Sequence, residues 1–188
     1  MRTHIRTRLV GLTTLLLTLS LAVPAFGTSV LRVDTATHLL DSSAVVEGVV
    51  GVAKQSVDPA TGRPVTDTTV RVDGVLWGSA AKGDLVVRQH KGSVEGMSFR
   101  IPGDGELEPG QRVVLFLNQA DGHFWLAALG QSVLEVHGAG PDAELRPQLD
   151  GLVFFTRDDD GAVVPLEETV LGPETLRELK AELAEAGE

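Results

Sequence analysis

About eight short, Val-rich stretches, separated by turn residues and never by a helix, most constrain what this chain can become. A single strand or hairpin is marginal in water, and parallel neighbours need long crossover connections, usually helical. No such helix lies between these stretches, so consecutive strands are expected to pair by hairpins. A sheet built that way removes its edges by curling into a closed or nearly closed antiparallel barrel. The fold class read from the sequence is therefore mainly β, a single antiparallel barrel flanked by one short helix at each end.

The individual strands are legible. Ala44–Val52 carries too many apolar residues for one-sided burial, and Gly48 and Gly51 suit a bulge or bend in a curled sheet. Asp58-Pro59-Ala60-Thr61-Gly62 has turn chemistry and leads to a second strand from about Val65. There Thr66, Thr68, Val70 and Val72 share one face and Asp67, Thr69 and Arg71 the other, until Asp73-Gly74 breaks the alternation as a bulge. Trp77, before Gly78-Ser79, is placed to close the barrel end. Asp84–Gln89 follows, with a hairpin tip at His90–Ser93 returning into Met97–Ile101. Arg112–Leu117 is the central apolar strand, and Asp121-Gly122 is a strong hairpin signal before Phe124–Leu129. Ser132–Val136 continues the meander. Leu152–Thr156 and Ala162–Val164 flank a second acidic turn, Asp158-Asp159-Asp160-Gly161. Asp34 caps a short helix over Thr35–Leu40. Leu176, Leu179 and Leu183 form the apolar stripe of a closing helix over about 173–186, started by Pro173.

The first 27 residues read as an address. Arg2, Arg6 and Arg8 precede a 15-residue apolar run, Leu9–Val23, and Ala25-Phe26-Gly27 supplies small residues around a cleavage site. This is the layout of a secretory signal peptide, too short for a comfortable membrane span. The expected mature unit is one domain, 28–188, secreted or periplasmic, with no membrane insertion after the leader is removed. Of the 16 Lys and Arg residues three lie in the leader, as do none of the 26 Asp and Glu, so the remainder carries 13 against 26 and a net charge of −13. Such a surface repels phosphate backbones, which argues against nucleic acid as a partner. The chain has no cysteine, and Arg outnumbers Lys by 12 to 4. An exported domain of this size folds without disulfides, and a GC-rich bacterial genome suits that composition.

Chemistry is sparse. His38, His90, His123 and His137 stand in different segments without zinc-ligand spacing, and each is expected to face solvent or make a single hydrogen bond. Ser132 lacks the final glycine of a nucleophile elbow, so no catalytic residue is assigned, and a hydrolase whose active site is assembled from distant segments stands as the alternative to a non-enzymatic binding module. Glu47, the one acid in an apolar strand, is expected to point outward or sit at a bulge. The segment from Thr156 places Asp158, Asp160, Gly161 and Glu167 at calcium-loop positions 3, 5, 6 and 12. Thr156 stands where the first Asp belongs, and a strand rather than a helix enters the loop. The stretch thus reads first as a polar hairpin tip and only second as a calcium site; no other cofactor is expected. For recognition, the loops at Asp58–Arg63, His90–Gly96 and Gly122–Trp125 are the natural contact surface of a rigid barrel. Phe124, Trp125, His90 and Lys91 are its candidate partner-binding residues, since consecutive aromatics on a strand point to opposite faces.

Two stretches carry a resemblance: Ser43–Val50, and Val70-Arg71-Val72-Asp73-Gly74-Val75-Leu76-Trp77-Gly78. Together with Gly110–Leu117 they resemble the strands of secreted netrin-like modules, OB-type barrels that include the tissue inhibitors of metalloproteinases. The texture is also similar to that of uncharacterised exported bacterial proteins. The resemblance implies an OB-like barrel that binds another protein or a peptide, an exported protease among the partner classes. The inhibitors act through an N-terminal cysteine and carry disulfides, which this chain lacks, so their inhibitory residues do not transfer.

Overall fold

The structure is a computed structural model that describes residues 27–80, 82–166 and 172–186. The expected leader thus lies outside the described residues apart from Gly27. Twelve strands and two helices are described: β1 (Thr28–Leu31), α1 (Thr35–Leu40), β2 (Ala44–Val57), β3 (Pro64–Gly78), β4 (Gly83–Gln89), β5 (Gly92–Val94), β6 (Met97–Phe99), β7 (Arg112–Ala120), β8 (His123–Leu126), β9 (Val133–His137), β10 (Glu144–Pro147), β11 (Leu152–Arg157), β12 (Val163–Pro165) and α2 (Leu176–Ala186). Among the described residues no helix is long and apolar enough to cross a membrane.

The main sheet runs β10-β9-β7-β2-β3-β4-β8, and β8 returns to pair with β7. Strands β2, β3, β4, β8 and β7 therefore form a closed five-stranded barrel. The expectation of a purely antiparallel sheet is corrected here. Strand β4 meets β8 in parallel at Val87↔Phe124. The reason is parity: strands that alternate in direction cannot close a ring of five, so one parallel junction is unavoidable. A second sheet, β1-β11-β12, also contains a parallel pair, Thr28↔Leu152 to Leu31↔Phe155.

Strands β2 and β3 are long because bulges let them bend around the barrel. Register shifts fall between Val45 and Val46, between Glu47 and Gly48, and between Val50 and Ala53, so both predicted glycines stand at irregularities. A Cβ on Gly48 would lie 2.4 Å from the Arg71 carbonyl oxygen. On β3 the alternation read from the sequence holds, with Thr66, Thr68, Val70 and Val72 buried and Asp73 at a register shift.

Other expectations change. The residues 90–93 are not a hairpin tip; the tip is Glu95-Gly96, between β5 and β6, where both residues have positive φ (53° and 80°). Strand β8 stops at Leu126 because a 3₁₀ turn over Leu129–Ser132 intervenes before β9. Helix α2 begins at Leu176, three residues after Pro173. Trp77 does not close the barrel; it packs outside, against the core beneath α2. Strands β1 and β10 had no sequence signal.

Burial is divided between two cores that share one wall. Val46, Val70, Val87, Leu115 and Leu117 fill the barrel interior. Val114, Phe116, Leu134, Leu39 and Leu179 fill a second layer between the barrel wall and the two helices. Glu47 sits at its bulge as expected, and its carboxylate also accepts from Arg112 (3.3 Å) and from Lys180 on α2 (3.2 Å). Gly48→Ala is expected to destabilise by about 2–4 kcal/mol, since backbone must move, and Leu115→Ala by about 2–5 kcal/mol from lost burial and a cavity. Gly122→Ala, with positive φ but open space around it, is expected to cost only about 1 kcal/mol. Chemical denaturation of the three variants checks that ranking.

Candidate functional site

The barrel has one covered wall and one open wall. Strands β9 and β10 extend the sheet beyond the free edge of β7, and both helices lie over the outside of that sheet, on β7, β9 and the start of β2, with the end of β3 at Leu76 and Trp77 tucked beneath α2. Among the described residues no helix covers the outer face of β4, β8 and the rest of β3. Outward positions there follow from register. Val87 and Phe124 face inward together, which turns Arg88 and Trp125 out. Asp67 stands opposite Arg88 on one side and Lys54 on the other.

The best-defined element is the pair Arg88–Asp67. The guanidinium Nε and Nη2 each donate to the carboxylate at 2.7 Å, a two-pronged match of planar groups. These bonds hold the Asp67 carboxyl below its ordinary range, assisted by the charges of His123 and Lys54, and raise Arg88 in turn. Beside the pair, the His90 ring lies 4.5 Å from the Trp125 ring at 35°, and His123 approaches the indole edge-on at 6.5 Å. The Trp125 Nε1 donates to the Ala120 carbonyl (3.2 Å), and Asp121 O lies 2.8 Å from His123 Nδ1. The indole is thus fixed in orientation while half-buried.

Two loops reach the same end. In the β2–β3 turn the Asp58 carboxylate accepts from the Ala60 amide and the Thr61 hydroxyl, which lowers its pKa, and the charges of Arg88 and His90 act on it too. Arg63 places its guanidinium 5.3 Å from the centre of the Phe99 ring on β6. The segments Asp58–Arg63, His90–Phe99 and Asp121–Trp125, distant in sequence, therefore converge on one end of the open wall.

The four residues singled out from the sequence separate in space. Trp125 and His90 stand together on the open wall. Phe124 packs into the barrel core. Lys91 turns away, with its ammonium donating to the Gly105 carbonyl (3.1 Å) and to Glu106 (2.9 Å). Next to it Gln89, buried, donates to Gly105 (2.7 Å) and to Asp104 (3.1 Å), whose carboxyl is pushed up by burial. Sequence reasoning missed Arg88, Asp67 and Lys54 as a cross-strand set. The alternation of β3 gave the outward direction of Asp67, but nothing local names its partner 21 residues away.

The acidic turn behaves as a capped hairpin. Asp158 Oδ1 accepts from the amides of Asp160 (3.1 Å) and Ala162 (2.8 Å). Glu167 lies outside the described residues, and among the described residues no three His, Asp or Glu side chains are grouped to hold a metal ion. Ser132 is fully buried and its hydroxyl accepts from the Ala128 amide. His137 keeps the single expected contact, with Glu135 at 3.1 Å. His38 departs from expectation: only 5% of it is exposed, against Phe116 at 4.8 Å.

No family model matches the chain, and no curated protein matches it in sequence.

The Arg88–Asp67 pair gives a measurable consequence. Asp67 is lowered in the folded state, so the pair's contribution is complete above the ordinary carboxylate pKa and fades as pH falls through the lowered value. A double-mutant cycle with Asp67→Asn and Arg88→Gln is expected to give about 1 kcal/mol of coupling at pH 7, shrinking towards zero near pH 2. Urea denaturation of the four proteins at both pH values reads it.

Proposed function

We propose that this is an exported, non-enzymatic, OB-like barrel that binds a protein or peptide through the end of its open wall, around Trp125, His90 and the Arg88–Asp67 pair. The convergence of three separate loops beside a fixed, half-buried indole carries the reading. Numbering the barrel strands in chain order, they neighbour one another as first, second, third, fifth, fourth and back to first, with third and fifth parallel. That order supports the OB-like part. OB barrels use the face of their second and third strands, together with the loops joining strands one to two and four to five, as a binding surface. Those features here are β3, β4, Asp58–Arg63 and Asp121-Gly122.

The class of partner follows from charge and side-chain supply. The acidity of the chain disfavours nucleic acid. A fixed tryptophan, an arginine and mixed charges suit a protein or peptide surface, where Trp and Arg are common anchors. An exported protease is the first partner class to test, given the likeness to netrin-like inhibitors. Export is supported by the basic and apolar pattern of the leader, and by the way β1 starts just after its end, with the Thr28 amide bonded to the Gly151 carbonyl at 2.8 Å.

Pull-down from cell-envelope extract tests the reading with three baits: the parent protein, a Trp125→Ala/Arg88→Ala variant, and Val153→Ser on the separate β11 sheet as control. The parent and the control are expected to retain the same partner, and the double variant to lose at least tenfold, with folding of all three checked by circular dichroism. Equal recovery by the folded double variant would refute the proposed surface.

A further inference from the structure

We propose that His38 is an acid-operated latch, whose protonation releases α1 from the barrel wall and widens the solvent-open groove beside it while the barrel itself stays closed. The inference is independent of the partner-binding reading and concerns the opposite, covered wall. Helix α1 has only six residues, too few to persist alone, so its position depends on what it packs against. Leu39 enters the outer core with Leu179 and Leu183 of α2. His38 lies against Phe116 of β7, and its Nε2 is buried without a hydrogen-bond partner among the described residues.

A neutral imidazole tolerates that setting at the cost of one unmade bond. An imidazolium does not, because it would bury a charge and a second N–H against aromatic and aliphatic carbon. Burial accordingly lowers the His38 pKa from 6.5 to about 4, even though Asp41 and Asp34 pull the other way. Next to the ring is a cavity of about 350 Å³, lined by Phe116, Leu134, Phe154 and Leu179 on its apolar side. Among the described residues, charged groups reach it at Arg32, which leads into α1, at Asp34, and at Glu182 of α2. Strands β7, β9 and β11 contribute apolar side chains to it. Asp41 and Asp34 lie close enough to act on the ring by their charge, and Glu182 lines the same cavity, yet none of the three bonds to Nε2 in the closed state. They become partners for the imidazolium once α1 swings out and water enters.

The sign follows from linkage. The closed state holds the proton more weakly than the open one, so closure is fully favoured above about pH 6.5 and weakens as pH falls towards 4. Between pH 7 and pH 4.5 the opening constant of α1 is expected to rise roughly fiftyfold.

Hydrogen exchange of the purified protein, corrected for intrinsic rates, reads this at the amides of His38, Asp41 and Ser42, which bond within α1 and its C-terminal turn. Their protection should fall by that factor at pH 4.5, whereas the amides of Val114 and Phe116 in β7 should keep theirs. In His38→Phe, which retains an aromatic ring and cannot titrate, the loss at α1 should vanish. Unchanged protection in the parent protein, an equal loss in His38→Phe, or simultaneous loss in β7 would each overturn the latch. Should His38→Phe fail to fold, the parent's own imidazole titration followed by NMR decides: a midpoint well below 6.5 supports the latch, and a midpoint near 6.5 refutes it.

Discussion

The barrel and the layer beneath the helices are both fastened to strand β7. Its residues Val113 to Leu117 are at most 2% exposed, because apolar packing continues on both faces. Val113, Leu115 and Leu117 point into the barrel, and Val114 and Phe116 into the layer beneath the helices. One of its edges pairs with β2; the other is shared, with Val113–Leu115 bonded to β9 and Leu117–Ala120 to β8. A strand buried on both faces reads as a continuous apolar run, and that is how Arg112–Leu117 appears in the sequence. Burying both sides of one strand also couples the two cores, so a change at Phe116 is felt by α1 and by the barrel wall together.

This shared wall gives the molecule its two unlike sides. Helices α1 and α2 cover the outer side of β7 and of its edge neighbour β9. Among the described residues β4, β8 and most of β3 carry no helix, and their outward side chains are polar, paired or aromatic apart from Val86. Parity of the ring adds the last element. Because five strands cannot alternate, β8 must run beside β4 in parallel, and this junction brings Trp125 next to His90 and His123 next to Asp67. The candidate contact surface is a by-product of how the barrel closes.

Much of the fold was legible because its signals are local. Period-two alternation gave the inward face of β3, turn chemistry gave Asp58–Gly62 and Asp121-Gly122, and paired glycines marked the bulges of β2. The Leu176, Leu179, Leu183 stripe gave α2. Strand β1 was hidden because Thr28–Leu31 follows directly on an apolar leader, and β10 because Glu144–Pro147 alternates without β-branched residues. The candidate site was half legible. Its loops were named, and two of the four chosen residues do stand there, but Phe124 and Lys91 were drawn into internal packing and hydrogen bonding that no spacing rule reveals.

The sequence by itself determined most of the extended stretches, several of their turns, which faces seek burial, and that the domain dispenses with disulfides, since each of these depends on neighbours a few residues apart or on composition. Only the tertiary structure decided which edge meets which, that one junction is parallel, and where the lone polar groups finish. Glu47 is joined to Lys180 across 133 residues, Asp67 to Arg88 across 21, and His38 is set against Phe116. Those choices rest on the burial of apolar faces and the pairing of polar groups all at once, a balance that exists only when the whole chain has closed on itself and that leaves His38 Nε2 unpaired.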